Sequence, residues 1–385
     1  MKSVLFVLGP FKTQKSPNGI CVKHILEKMR IHAECDVLSL EFSNYEDINC
    51  EFSICCNDSS SILSPFVYPL RNLEAVRMLY QKTKKLYAEK TYDTIIAVSN
   101  PPEAVEAVAR LKKEENSFQF IIYEIDSASN RYKNPKELLE KYLMIKAFLW
   151  ERRSYKLADK IIHMVSHKKH YSANQFQMFE NKTIFCDIPG LVIKENNSSC
   201  FEHIKAIRHR FLYAGKFYPV LRDPTYMINC MCQYLENKPL QDLVIYSSTM
   251  EKEIKTIITR YGIESIQYKT PISQDELDKE MLKYDVLISI GNKNSDFLPS
   301  KTINYLAYNK KIIHFYSDDA DVSIPYLSKS ENCLLIKEGS EIGNVINEIN
   351  SFLEKDVRYY SVQELNTMYI ENTPQYTSDR ILELI

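Results

Sequence analysis

The chain has 385 residues, a formal net charge of −1, and 45% hydrophobic and 26% charged residues. This composition is that of a globular protein of about two domains, and the balanced charge disfavours a general nucleic-acid binder, which would be strongly basic. Only 8 residues are glycine, where average usage of about 7% would give roughly 27. Collagen-like and glycine-repeat architectures are therefore excluded.

Export and membrane insertion are not indicated by the sequence. Apolar runs fall short of the roughly 20 residues that span a bilayer, and the N-terminal MKSVLFVLGPFK has no small-residue cleavage site. We therefore expect a cytoplasmic protein with reduced cysteines. The pairs Cys55-Cys56 and Cys230-x-Cys232 lack zinc-site spacing, so no metal site is expected.

Short apolar runs alternate with helical stretches along the first half of the chain. Strands are predicted at Val4–Leu8, Val37–Leu40, Thr94–Val98, Phe120–Tyr123, Ile161–Val165 and Thr183–Cys186. Helices are predicted at Ile20–Ile31, at Leu73–Lys90 with Asn72 as N-cap, after Asn100-Pro101-Pro102, and between the fourth and fifth of these strands. Continuous β-branched strands alternating with helices indicate a parallel sheet covered on both faces.

The alternation stops near Pro189, where a polar stretch over 190–199 indicates a linker, and then starts again. Strands are predicted at Phe211–Ala214, Leu243–Tyr246, Val286–Ser289, Lys311–Phe315 and Cys333–Ile336. The predicted fold is α/β, with two doubly wound, Rossmann-like domains over 1–190 and 205–360 that face a central cleft. A helical segment over 361–385 is expected to pack back on the first domain. Such folds bind ligands at the carboxyl ends of strands, so functional residues are expected there.

The first candidate site follows the strand that ends at Gly215. Lys216 comes next, and Arg222 lies six residues later, before Asp223-Pro224 opens a helix. Two cations at a strand exit beside a helix start are suited to holding a diphosphate. The alternative is a solvated loop with two surface charges.

The second candidate site follows the strand that ends at Gly291. After a polar loop, Pro299, Ser300 and Lys301 begin a helix, and Asn304 lies about one turn inside it. Exposed N–H groups, a hydroxyl and an ammonium favour a phosphate. The alternative is an ordinary N-capped helix.

These two segments resemble the donor-binding half of glycosyltransferases with two Rossmann domains (GT-B type), above all family 4 and its bacterial capsule and surface-polysaccharide relatives. The resemblance implies that Lys216 and Arg222 hold the nucleotide diphosphate. Asp296 and Asn304 stand where the family has two Glu separated by seven residues. They are thereby expected to contact the transferred sugar and a ribose hydroxyl, respectively. The resemblance also implies retention at the anomeric carbon. No metal cofactor is expected, because the protein cations and a helix terminus would take its role.

A weaker resemblance extends over the first domain. Gly9, Asn18 and Gly19 are similar to the family's acceptor-side loop between its first strand and helix, and Glu151–Ile162 is similar to its last passage from helix to strand before the interdomain region. The resemblance therefore implies that this domain binds a carbohydrate or lipid-linked glycan acceptor.

A pair of carboxylates ends the strand at Tyr123. Alternation puts Glu124 and Asp126 on one face, where they could orient an acceptor hydroxyl or take its proton. Asp126 is kept as the candidate base, with Arg131 and Tyr132 as expected neighbours. A capping or turn role for Asp126 is the alternative.

Basic residues are concentrated on two predicted helices of the first domain. One carries Arg77, Lys82, Lys84 and Lys85, and the other carries Lys141, Lys146, Arg152, Arg153 and Lys156 around Trp150. Such stretches can meet anionic lipid headgroups, giving peripheral contact at the inner face of the membrane, although a solvated helix face is the simpler interpretation. His163, His167 and His170 are assigned surface or packing roles.

Absent motifs narrow the choice of function. The sequence has no Gly-x-Gly-x-x-Gly, no P-loop and no Gly-x-Ser-x-Gly elbow, which disfavours nicotinamide enzymes, P-loop nucleotidases and α/β-hydrolases. The resemblance to GT-B glycosyltransferases implies transfer of a sugar from a nucleotide-sugar donor, and these absences agree with that expectation. A nucleotide-sugar 2-epimerase of similar fold and a non-catalytic subunit of a glycan-assembling complex remain alternatives.

Overall fold

The computed structural model describes residues 1–11, 17–40, 50–54, 67–131, 135, 137–193, 209–293 and 295–385. Backbone contacts divide the chain into two compact units. The first unit comprises Met1–Pro189 with Glu371–Ile385, and the second comprises Gly190–Ile370. Tyr132, Cys55, Cys56 and positions 194–199 of the polar stretch lie outside the described residues.

The first unit is built on a parallel seven-stranded sheet in the order β3-β2-β1-β4-β5-β6-β7. Its strands are β1 (Lys2–Val7), β2 (Ala33–Ser39), β3 (Cys50–Ser53), β4 (Thr94–Ser99), β5 (Gln119–Glu124), β6 (Lys160–Met164) and β7 (Thr183–Cys186). Helices in this part of the chain are α1 (Pro17–Met29), α2 (Leu73–Glu89), α3 (Glu103–Glu114), α4 (Leu138–Leu157) and α5 (Lys168–Tyr171). Short 3-10 helices span Ser129–Arg131, Val165–His167 and Asn174–Lys182.

The second unit repeats this plan with a parallel six-stranded sheet in the order β10-β9-β8-β11-β12-β13. Its strands are β8 (Arg210–Ala214), β9 (Asp242–Tyr246), β10 (Ile266–Lys269), β11 (Val286–Ile290), β12 (Lys311–Tyr316) and β13 (Cys333–Lys337). Its helices are α6 (Thr225–Leu235), α7 (Glu251–Tyr261), α8 (Gln274–Leu282), α9 (Ser300–Leu306), α10 (Ile324–Leu327), α11 (Ile342–Glu354) and α12 (Val362–Met368).

The last helix of the chain, α13 (Pro374–Leu382), belongs to the first unit and packs on α1. A 3-10 turn at Ile370–Asn372 leads into it. Ile381 is fully buried, and beyond the helix the Gln119 amide of β5 donates to the Leu384 carbonyl at 2.7 Å.

Burial of the central strands explains both sheets. Every residue of β4 and of β11 is buried, so each strand must be apolar on both faces. The predicted α/β class with two doubly wound units is confirmed, and so is the N-cap of α2, where the Asn72 side chain accepts from the Ala75 amide at 3.0 Å. Such a cap contributes about 1 kcal/mol.

Two strands were not predicted from the sequence, β3 and β10. Both lie at the edge of their sheet. β10 reads Ile-Gln-Tyr-Lys and buries only its first residue. A short edge strand that is covered on one side lacks the continuous apolar run that identifies a central strand.

Candidate functional site

Strand order places a topological switch point in each sheet. In the first unit β1 lies between β2 and β4, and in the second unit β8 lies between β9 and β11. The chain leaves such a strand toward opposite sides of the sheet, which opens a crevice outside the carboxyl ends. The loops after β1, β4, β8 and β11 are therefore the places to seek a site.

In the second unit the loop after β8 is held firmly at this edge. The Phe217 amide donates to Thr249 Oγ1 at 2.8 Å, and the Phe217 ring stacks on Tyr213 with centroids 4.4 Å apart. Tyr218 and Arg222 then exchange backbone hydrogen bonds of 3.1 and 2.8 Å, which turns the chain back on itself. This turn brings the Arg222 guanidinium within 3.4 Å of the Lys216 carbonyl, while the Lys216 side chain is exposed.

The loop after β11 meets this turn through Asn292. Arg222 Nη2 and Nε donate to Asn292 Oδ1 at 2.7 and 3.1 Å, and Asn292 Nδ2 donates to the Phe297 carbonyl at 2.8 Å. The Lys293 amide donates to the Leu221 carbonyl at 2.7 Å. Asn292 was not selected from the sequence. Its position directly after the glycine at a strand exit was the available signal.

Lys301 is a further cation, at the start of the helix that follows the loop after β11. It is half-buried in the first turn of α9. Burial lowers the pKa of Lys301 to about 8, with the Asp278 carboxylate opposing the shift and the positive charge of Arg222 adding to it. The positive charge of Arg222 thus disfavours the protonated form of Lys301. Within the part of the chain that the structure describes, neither forms an ion pair, so an anion between them would relieve the repulsion.

The other predicted donor residues lie on α9 and on the loop after β11. Ser300 begins α9, Pro299 is its N-cap without a side-chain hydrogen bond, and Asn304 is half-buried within it. Asp296 is half-buried in the loop after β11. The structure thus ties Arg222 to the Lys216 carbonyl and, through Asn292, to the loop that precedes α9, while the charge of Arg222 also acts on Lys301.

Gly291 is required by packing. A Cβ atom at this position would lie 1.5 Å from Asp321 Oδ2. Asp321 is the last of three buried side chains that lie in a row. Ser289 Oγ and His314 Nδ1 are 2.6 Å apart, and His314 Nε2 lies 3.5 Å from Asp321 Oδ2. Burial disfavours the Asp321 carboxylate, but hydrogen bonding and charge from His314, with bonds from Ser323, lower its pKa overall.

In the first unit three polar side chains connect the ends of neighbouring strands. Asn18 Nδ2 donates to the Asn100 carbonyl at 2.6 Å, and Asn100 Nδ2 donates to Asp126 Oδ2. Asn100 has a left-handed backbone, with φ of 73°. Gly9 lies against Pro101, whose Cδ would be 2.1 Å from a Cβ at position 9. Asn100 therefore joins Asn18 to Asp126. From the sequence, Asn100 was predicted only to lie at the start of a helix. Gly19 is buried one residue along α1.

Asp126 and Glu124 have different surroundings. Asp126 is half-buried, and burial raises its pKa while the Asn100 hydrogen bond and the positive charges of Arg131 and Arg71 oppose the shift. Glu124 is 1% exposed and accepts from Tyr155 Oη at 2.9 and 2.8 Å, with His163 Nδ1 at 2.6 Å. Only Asp126 is therefore placed to meet a ligand.

The buried network around Glu124 extends to a second carboxyl group. Glu151 accepts from the Ser129 amide at 2.8 Å and from Tyr171 Oη at 3.2 Å. Burial raises the pKa of each glutamate to about 8. His163 stacks on Tyr171 with centroids 3.6 Å apart, and burial lowers its pKa to about 3. His163 thus has the packing role predicted from the sequence, and Glu151 supports the loop that follows Asp126.

The described residues contain no cluster of three or more His, Cys, Asp or Glu side chains arranged to hold a metal. No helix among them has the length and hydropathy needed to cross a bilayer.

The chain matches no protein-family model and no curated protein sequence. Solved structures do match. Sucrose-phosphate synthase from Thermosynechococcus elongatus is 11% identical with a TM-score of 0.67, over 100% of this chain and 98% of that one. The apo lipopolysaccharide outer core galactosyltransferase WaaB is 13% identical with a TM-score of 0.58, over 100% of both chains.

An epimerase matches comparably well. UDP-GlcNAc 2-epimerase from Neisseria meningitidis, bound to UDP-GlcNAc, is 12% identical with a TM-score of 0.58, over 99% of this chain and 98% of that one. Similarity at such low identity shows a common fold and leaves the reaction open. The chain therefore has the two-sheet α/β fold that GT-B glycosyltransferases share with UDP-GlcNAc 2-epimerases.

Proposed function

We propose that this protein is a glycosyltransferase that moves a sugar from a nucleotide-diphosphate sugar to a carbohydrate or lipid-linked glycan acceptor. The setting would be synthesis of a bacterial surface polysaccharide at the cytoplasmic face of the membrane. The observation that carries the proposal is the placement of Lys216 and Arg222 on the loop after β8, and of Lys301 in the first turn of α9, beside the switch point of the second unit. Cations at this edge of a doubly wound sheet are suited to a nucleotide diphosphate.

The proposed reaction explains why cations are needed. The acceptor hydroxyl oxygen bonds to the anomeric carbon and loses its proton, and the bond from that carbon to the diphosphate oxygen breaks with its electron pair. Negative charge then grows on the leaving nucleoside diphosphate. Lys216, Arg222 and Lys301 stabilise it, with Ser300 adding a hydroxyl. No metal cofactor is part of this proposal.

The relief of repulsion between Arg222 and Lys301 supports this assignment. Without an anion, burial and the charge of Arg222 work against the protonated form of Lys301. A diphosphate would favour that form, so Lys301 would be charged where the leaving group needs it. Asn292 orients Arg222 throughout.

We assign the acceptor to the first unit, at the edge formed by Gly9, Asn18, Gly19 and Asp126. Asp126 is the candidate base for the acceptor hydroxyl. Its carboxylate is held by Asn100 and its raised pKa, caused by burial, makes it a better proton acceptor than an exposed aspartate. Asp296 is the candidate contact to the transferred sugar. For the proposed retention at the anomeric carbon, the acceptor oxygen must arrive on the face from which the diphosphate leaves, since attack on the opposite face would invert that carbon.

A 2-epimerase is the second candidate, favoured by the match to the Neisseria enzyme bound to UDP-GlcNAc. An epimerase would use the same diphosphate site and need no acceptor. The two reactions differ in product, since transfer or slow hydrolysis releases free nucleotide and epimerisation yields an isomeric nucleotide sugar.

The test is incubation with a panel of UDP-, GDP-, ADP- and dTDP-sugars, followed by chromatography of the nucleotides. Release of free nucleoside diphosphate supports the transferase, and an isomeric nucleotide sugar supports the epimerase. Binding of no nucleotide by calorimetry would reject both and leave a non-catalytic subunit. Lys301→Ala should abolish the observed reaction, while Lys252→Ala, at an exposed position of α7, should not change it.

A further inference from the structure

The outward face of α4 carries an apolar stripe. Leu138 is 85% exposed, Ile145 53% and Leu149 57%, and Tyr142 between them is 46% exposed. The spacing of four, three and four residues puts all of them on one line along the helix. Leu139, also exposed, lies beside this line. These residues are called the α4 stripe below.

The opposite face of α4 already supplies the core contacts of this helix. Ala147, Trp150, Glu151, Ser154 and Tyr155 are its buried residues. The α4 stripe is therefore surplus to the packing of the first unit. Isolated exposed leucines are ordinary, but a contiguous line of large apolar side chains marks an interaction surface.

The borders of the α4 stripe are basic. Its flanking cations are Lys141, Lys146, Arg152, Arg153 and Lys156. The acids of the helix are placed elsewhere, since Glu151 is fully buried and Glu140 forms the capping box with Glu137. Arg153 pairs with Glu106 at 2.5 Å, and Lys141, Arg152 and Lys156 supply positive charge along this face.

Positive charge continues beyond the C-terminal end of the helix. The cavity there is lined by Lys112, Lys113, Lys156, Lys160 and Lys182, with Asp159 as its acid. Asp159 lies 2.9 Å from Lys112 Nζ, and the other lysines keep this end of the surface positive. The C-terminal end of the α4 stripe therefore lies beside a cluster of lysines.

We infer that the α4 stripe docks on an anionic phospholipid bilayer, with the helix lying in the plane of the interface. Apolar side chains would enter the boundary of the acyl chains while lysines and arginines reach the lipid phosphates. A second copy of the chain fits less well. The spacing resembles a coiled-coil seam, but such seams are bordered by opposite charges, and here two basic borders would face each other.

The test is sedimentation with vesicles of phosphatidylcholine alone and of phosphatidylcholine with phosphatidylglycerol. The protein should bind the anionic vesicles, bind the neutral ones far less, and be released by salt. L138Q/I145Q/L149Q should lower the partition coefficient at least about tenfold because it removes the buried apolar area. K141Q/K156Q should weaken binding at low salt and differ little from the parent at high salt.

A matched control has exposed apolar residues of the second unit changed instead. Leu240 is 58% exposed and Ile370 56%, and L240Q/I370Q should bind as the parent does. Equal binding to both vesicle types, undiminished binding by the triple variant, or a dimer in light scattering that the triple variant abolishes would each overturn the inference. Circular dichroism checks that the variants are folded. Since no sugar nucleotide is used, failure here leaves the proposed transfer reaction untouched.

Discussion

Arg222 reaches from the loop after β8 to the loop after β11, where its Nη2 and Nε atoms donate to Asn292 Oδ1 at 2.7 and 3.1 Å. A neutral amide thus holds this guanidinium without cancelling its charge. Asn292 also donates to the Phe297 carbonyl at 2.8 Å, so one side chain fixes both the cation and the loop that carries Asp296.

Asn292→Ala should weaken the binding of UDP about tenfold, since hydrogen bonds to a charged group contribute about 1.5–3 kcal/mol and Arg222 would lose its orientation. Asn292→Asp should also weaken binding, because a carboxylate would neutralise Arg222. Calorimetry with UDP measures both. Asn116→Ala, at an exposed position of the first unit, is the control. Unchanged affinity in both Asn292 variants would contradict the proposed role of Asn292.

Lys216→Ala and Lys301→Ala should each weaken UDP binding by at least ~1 kcal/mol, because each removes a charged contact to the diphosphate. Lys252→Ala should leave the affinity unchanged. The measurement is calorimetric titration at constant ionic strength. Parent-like affinity in both of the first two variants would refute the diphosphate site.

The pH dependence of UDP binding should carry the signature of Lys301. Burial lowers the pKa of Lys301 to about 8, so the free protein loses this positive charge as the pH rises through that value. Affinity for UDP should therefore fall over the same range, while the diphosphate itself keeps its charge. Lys301→Arg retains a charge throughout this range, and its affinity should vary less with pH. An equally steep pH dependence in Lys301→Arg would exclude Lys301 as the group responsible.

The first unit should lose stability as the pH rises from about 4.5 toward 8. Burial raises the pKa of Glu124 and of Glu151 from 4.5 to about 8, so these two groups bind more protons in the folded state than in the unfolded state in this window. Burial lowers the pKa of His163 from 6.5 to about 3, which offsets part of that excess below pH 6.5 and none of it above. The free energy of unfolding then falls with increasing pH. Urea unfolding at a series of pH values, followed by fluorescence, measures this directly.

The chain has one tryptophan, Trp150, which is buried in the first unit, so the signal reports on that unit. Glu124→Gln resembles the protonated acid and should reduce the pH dependence of the unfolding free energy. Glu114→Gln, at an exposed ion pair with Lys84, should not. If Glu124→Gln and the parent gave the same slope, Glu124 would not be the titrating group.

Gly291→Ala should destabilise the second unit by about 1–3 kcal/mol, since the added methyl group would displace the buried Asp321 carboxylate. Gly343→Ala makes an informative comparison. Its Cβ would lie 2.8 Å from Glu341 Oε1, in the flexible side chain that caps α11 by accepting from the Gly343 amide. Moving that carboxylate would cost a cap of about 1 kcal/mol, which the preference of helices for alanine over glycine offsets. Thermal unfolding should separate the two variants. Equal unfolding midpoints would show that the Asp321 carboxylate can move aside without a measurable loss of stability.

The fold was predictable because burial on both faces forces β4 and β11 to be continuously apolar. Edge strands such as β10 face solvent on one side and leave no such run. The candidate cations Lys216 and Arg222 were predictable from their place after a strand. Their partner Asn292 was not, because an asparagine in a loop has many uses and only the strand order brings it to Arg222. Glu124 and Asp126 illustrate the same limit. The alternation of side chains along a strand predicted that both carboxyl groups share one face of the sheet. In the structure β5 ends at Glu124, and the two carboxyl groups have separate partners.

The position of α13 has a consequence for synthesis of the chain. The first unit includes residues from both ends of the sequence, and the whole second unit is inserted between them. On the ribosome the sheet of the first unit emerges before the second unit, yet the helix that covers α1 follows the second unit. The second unit can thus complete its own contacts while α1 still has an uncovered apolar surface, so the first unit is completed only after the unit inserted into it.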